Sequence, residues 1–160
     1  MSTDVAWAKR SHEESWRPIL GLAIEEVFEI MLGCPVEPVS GEAVVVRGDF
    51  TAMVGLAGAL CGVLTVCCEA TTARKIANAM LGDAADSEGQ VADALGEICN
   101  MITGNFKNKL AGRDERCLLS VPSVVSGGEY TLHSLADGNC IEIIVKLEEC
   151  PVSVRLQLQG

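Results

Sequence analysis

The segment DALGEICNMITGN sets a carboxylate and a carboxamide three residues apart, at Glu97 and Asn100, with a second carboxylate at Asp93. On a helical wheel with Glu97 at zero, Asp93 falls at about −40°, Asn100 at about −60° and Gly104 at about −20°, so the four share one stripe. Leu95, Ile98 and Ile102 centre about 140° away and mark the inward side. A carboxylate only accepts hydrogen bonds, whereas a carboxamide both donates and accepts. The stripe thus offers two complementary polar groups but neither a nucleophile nor a metal-ligand set of its own.

Gly96 and Gly104 cost this helix about 1 kcal/mol each relative to alanine, and Asn100 adds several tenths. A helix built only for stability would not combine them. Local rules broken together on an exposed face point to a functional surface, where missing side chains let a partner approach closely. Glu97 and Asn100, with Asp93, Gly96 and Gly104 beside them, are accordingly the candidate functional face, open to a partner. The competing explanation is a solvated stripe whose polar residues merely face water.

The helix that must carry these groups is expected from about Glu88 to Leu110, with Val91, Leu95, Ile98, Ile102, Phe106 and Lys109 along one side and Lys109 able to snorkel. A first helix is expected from Glu13 to Gly33, with Pro18 in its first turn. A shorter one, capped by Thr71 or Thr72, stops at Gly82. Strands are expected at Val44 to Arg47, Thr51 to Ala57, Gly62 to Cys68, Leu118 to Val125, Tyr130 to Leu132, Cys140 to Leu147 and Val152 to Leu158. The last alternates strictly and reads as an edge strand open to pairing between chains. The fold class is α+β, a mostly antiparallel sheet packed against two long helices and one shorter helix. It forms a single domain over residues 1–160, with residues 1–12 as a flexible N-terminus.

Composition narrows the functions available. A formal net charge of −10, from 22 acidic against 12 basic residues, repels phosphate backbones and anionic lipid, so neither nucleic acid nor membrane is an expected partner. The start, MSTDVAWAKRSHEESW, lacks the apolar stretch of a secretory signal, and a cytoplasmic location is expected. The apolar run from Val54 to Cys68 is too short to span about 30 Å of hydrocarbon as a helix and suits two buried strands with a turn. Eight cysteines form no CxxC pair, and only His12 and His133 could add imidazoles, so they are expected as small buried hydrophobes with no metal held by this chain.

An internal repeat appears at an offset of 71 residues, where AIEEVFEIMLG (Ala23 to Gly33) lies on ALGEICNMITG (Ala94 to Gly104). Glu26 meets Glu97, Glu29 meets Asn100, and apolar positions stay apolar. A duplication with pseudo-twofold symmetry is one source of this match; chance likeness between two amphipathic helices is the other.

The D-x-x-x-E-x-x-N spacing of Asp93, Glu97 and Asn100, followed by Pro122 some twenty residues on, resembles the signature of the CheC/CheX/FliY family of bacterial chemotaxis phosphatases. The order of elements is similar from about Glu13 to Leu158. Glu29 stands at the asparagine position of the first copy, so one complete motif remains and the CheX type fits better. The resemblance implies a CheC-like fold with a pseudo-twofold repeat, a homodimer that binds no metal of its own, and a substrate that is the aspartyl phosphate of a CheY-like response regulator holding its own Mg²⁺ and lysine. It also implies roles: Asn100 positions the attacking water, Glu97 pairs with the partner's lysine, and Asp93, Gly96, Gly104 and Pro122 serve docking. A non-catalytic module of the same fold that binds a receiver or another signalling protein, and a structural dimerisation unit, are the alternatives.

Overall fold

The computed structural model describes residues 2–39, 44, 46–58, 60–82, 85, 87–110, 117–127 and 140–159, with side chains from Ser15 onward. Helix α1 (Ser2–Leu32) buries Leu20, Ala23, Ile24, Val27 and Phe28 and ends at Gly33, whose φ of 65° is the left-handed turn that glycine adopts without steric cost. It starts well before Glu13, so residues 2–12, expected to be flexible, have helical backbone, and Pro18 lies inside the helix rather than in its first turn. Nothing between Ser2 and Arg17 breaks a helix, and Pro18 removes one ladder bond without ending it.

Strand β1 (Glu37–Pro38) was not legible in the sequence; the hairpin β2 (Phe50–Gly58) and β3 (Gly62–Cys68) divides the apolar run from Val54 to Cys68 as expected. Helix α2 (Ala70–Leu81) stops at Gly82. Its cap is neither Thr71 nor Thr72, and Thr72 is buried. The Ala70 N–H instead donates to Asp49 Oδ2 at 2.9 Å, a cap supplied from a distant loop. Helix α3 (Glu88–Lys109) opens on Ser87, whose Oγ accepts from the Gln90 N–H at 3.2 Å.

Among the described residues, strands β4 (Cys117–Leu119), β5 (Ser123–Ser126), β6 (Cys140–Leu147) and β7 (Cys150–Leu158) complete one antiparallel seven-stranded sheet in the order β1-β6-β7-β3-β2-β4, with β5 also on β2. The run from Leu118 to Val125 is therefore two strands, broken at Ser120 to Pro122. Val44, Val46 and Arg47 are not in a strand; the two valines line a cavity of about 300 Å³ with Thr65, Cys67 and Arg155. Tyr130 to Leu132 lies outside the described residues. The segment Val152 to Leu158 is central, flanked by β3 and β6, and not an edge.

Cross-strand rows such as Ala52, Val66, Val154 and Ile143, or Val54, Leu64, Leu156 and Ile141, set the apolar side chains on one face, where the helices cover them. The topology has the symmetry that the repeat anticipated. Each half runs helix, edge strand, hairpin, and each half's edge strand pairs with the other half's hairpin: β1 on β6, β4 and β5 on β2. At the centre β3 and β7 run side by side so closely that a Cβ on Gly62 would strike the Gln157 carbonyl. No helix among the described residues is long and apolar enough to cross a membrane.

Candidate functional site

The rotation of α3 is fixed by Val91, Leu95, Ile98, Cys99, Ile102 and Phe106, all buried. This turns Asp93 and Glu97 to solvent and leaves Asn100 half-buried. Among the described residues, the side chains of Asp93, Glu97 and Asn100 make no hydrogen bond or ion pair within the chain. A carboxylate and a carboxamide one turn apart, presented together and unused by the fold, form a surface suited to polar groups brought by another molecule.

What stands beside Asn100 differs from expectation. Gly96, Asn100 and Gly104 form one i, i+4 row of the helix. Gly96 is buried, and a Cβ built there would lie 3.3 Å from Val124 Cγ2 and 3.4 Å from Pro122 Cβ. A Cβ on Gly104 would lie 4.0 Å from Leu119 Cδ1. Gly96 thus faces the chain's own segment from Leu119 to Val124, and Pro122 packs against that glycine. The segment runs antiparallel to α3 from beside Gly104 to beside Gly96, passing Asn100 halfway.

Ser120 holds this segment in place. Its Oγ accepts from the Gly55 N–H at 2.8 Å, and its own N–H donates to the Gly55 carbonyl at 2.9 Å. Neither residue was a sequence candidate, because the two are 65 positions apart and nothing local in either marks the pairing.

The first copy of the motif has been put to other use. Glu26, the counterpart of Glu97, accepts from Asn105 Nδ2 and from Lys109 Nζ, each at 2.9 Å. The Asn105 amide and then the Lys109 ammonium hold its carboxyl below the ordinary glutamate range. Lys109, expected only to snorkel off the inward side, therefore ties α3 to α1. Glu29, the counterpart of Asn100, is exposed.

The cysteines only partly match expectation. Cys68, Cys99 and Cys117 are buried, with burial pushing the thiols of Cys68 and Cys99 up to about 12, but Cys61 and Cys140 are exposed. All eight are free. Among the described residues no group of three or more His, Cys, Asp or Glu gathers as metal ligands. The larger cavity, about 500 Å³, lies by the N-termini of α2 and α3 against Arg47, Asp49, Arg74, Ser87 and Glu88, away from the Glu97 and Asn100 stripe.

An α+β sheet of this order with one such helix face defines the CheC-like fold class. The sequence matches the family model described as chemotaxis phosphatase CheX over residues 50–146, and the chain belongs to that family. CheX from Desulfovibrio desulfuricans is 27% identical, with a TM-score of 0.78 over 90% of this chain and 99% of that one. Chemotaxis protein CheX from Vibrio vulnificus is 25% identical, with a TM-score of 0.76 over 89% and 95%. The CheX of a CheX–CheY–BeF3–Mg²⁺ complex from Borrelia burgdorferi, 21% identical with a TM-score of 0.76 over 89% and 97%, shares the fold. No curated protein sequence matches the chain.

Proposed function

We propose that this chain hydrolyses the aspartyl phosphate of a CheY-like response regulator by placing the Glu97 and Asn100 face of α3 in the receiver's active site. The observation that carries this reading is the pair of exposed Glu97 and half-buried Asn100, with no partner among the described residues, on a helix whose rotation is fixed by its core. Membership of a chemotaxis phosphatase family supports it, as does the Borrelia relative named in complex with CheY, BeF3 and Mg²⁺.

Phosphoryl transfer asks little covalent help of a protein; it asks for an in-line water and compensated charge. The Asn100 carboxamide accepts a hydrogen bond from the water and donates one to the phosphoryl oxygens, so the water's lone pair meets phosphorus. The P–O bond to the receiver's aspartate breaks, the carboxylate leaves, and the water's proton passes to phosphate or solvent. Glu97 pairs with the receiver's lysine and sets the register of docking. Asp93, one turn earlier, adds charge at the docking edge. The Mg²⁺ belongs to the receiver and arrives with the substrate.

On this reading the chain works in the cytoplasm with its receiver and, like the CheX type, as a homodimer. Light scattering tests the second point. Phosphate release from a receiver loaded with acetyl phosphate, in single turnover, tests the phosphatase reading.

A further inference from the structure

Five large apolar side chains stand exposed among the described residues, and two of them, Leu118 at 76% and Val121 at 84%, lie on the short segment that flanks the Asn100 row. Single exposed apolar residues are ordinary, so the position matters more than the exposure. Leu119 and Pro122 alternate with them and point toward Gly104 and Gly96. The segment is also pinned: β4 and β5 pair with β2, and Ser120 is bonded twice to Gly55. Val121 is therefore held out at about the level of Asn100, since Asn100 is midway between the two glycines.

We infer that Leu118 and Val121 form an apolar lip that docks on the receiver's surface beside its phosphorylation site, an inference that rests on the phosphatase reading. An interface commonly seats apolar anchors next to a small polar centre and excludes water around it. Here the polar centre is Glu97 and Asn100, and the lip is continuous with it through the Gly96 and Gly104 contacts. A second copy of this chain is the less favoured occupant. The outer edge of the sheet here is two strands of three and four residues broken by Pro122, a blunt edge that resists strand addition.

The test is the affinity of the full chain for a CheY-like receiver domain from the same organism, loaded with beryllofluoride and Mg²⁺. The double variant Leu118→Ser, Val121→Ser is expected to weaken Kd about tenfold or more. Ile30→Ser, which removes an equally exposed side chain from α1, is expected to leave Kd unchanged. An unchanged Kd in the double variant, or equal weakening by Ile30→Ser, overturns the inference. So does a fall in oligomer mass by light scattering with Kd unchanged, which assigns the lip to a second copy. A wild-type chain that binds through the lip but releases no phosphate upholds the docking and sinks the phosphatase reading. A wild-type chain that binds no receiver overturns both.

Discussion

Pro122 lies against Gly96, its Cβ 3.4 Å from where a Cβ on that glycine would stand. Contact at this distance leaves no slack, and it decides how the strand beside Asn100 sits. Gly96→Ala gains up to about 1 kcal/mol of helix propensity, but its methyl must push Val124 and Pro122 outward by a few tenths of an ångström. We expect stability close to wild type and single-turnover phosphate release slowed by about three- to tenfold, since small misplacements at a reacting centre are costly. Release as fast as wild type counts against a positioning role for this contact.

Gly104→Ala separates two explanations of the second glycine. Its nearest neighbour would be at ordinary contact distance, 4.0 Å from Leu119 Cδ1. Chemical denaturation is expected to show stabilisation by about 0.5–1 kcal/mol, with receiver affinity unchanged. Weaker affinity would instead restore the expectation that a partner approaches there.

The turn between β6 and β7 stores removable strain. Glu148 and Glu149 occupy its two positions with φ of 49° and 69°, a left-handed pair that non-glycine residues adopt at a cost. Glu148→Asn with Glu149→Gly is expected to stabilise the chain by about 1–2 kcal/mol, read as a rise in denaturant midpoint at constant slope. A midpoint that stays or falls contradicts this.

Two carboxylates link stability to acid. Asp49 is held below the usual aspartate range first by the Ala70 N–H and then by Arg47, and Glu26 by Asn105 and Lys109. Both pKa values are lowered on folding, so their contribution is fully present above the ordinary values of 3.8 and 4.5 and is lost as pH falls through the depressed ones. Urea midpoints should fall from pH 5 towards pH 3. In Asp49→Asn the fall should be shallower and the midpoint at pH 7 lower. Parallel curves for the two proteins would remove Asp49 from the account.

The placement of the candidate residues was legible because α3 is long and strongly periodic. Its inward residues alone set the rotation that presents Glu97 and Asn100. What approaches that face was not legible: a helical wheel shows which way Gly96 points but not that Pro122 and Val124 stand there. Asp49 capping α2 is the same kind of miss, a contact made across 21 residues where Thr71 and Thr72 were the local choices. The strict alternation of Val152 to Leu158 reports one buried face, and a central strand with one open face shows it as well as an edge strand does. Pairing order is a long-range property, and only the pseudo-twofold repeat hinted at it.

The central claim is the division of labour between Asn100 and Glu97. The measurement is single-turnover phosphate release from an acetyl-phosphate-loaded receiver, with affinity measured in parallel for the beryllofluoride form. Asn100→Ala is expected to reduce release by about a hundredfold while affinity stays within about threefold, and Glu97→Ala to weaken affinity and rate together. An Asn100→Ala variant that releases phosphate as fast as wild type contradicts the proposed mechanism.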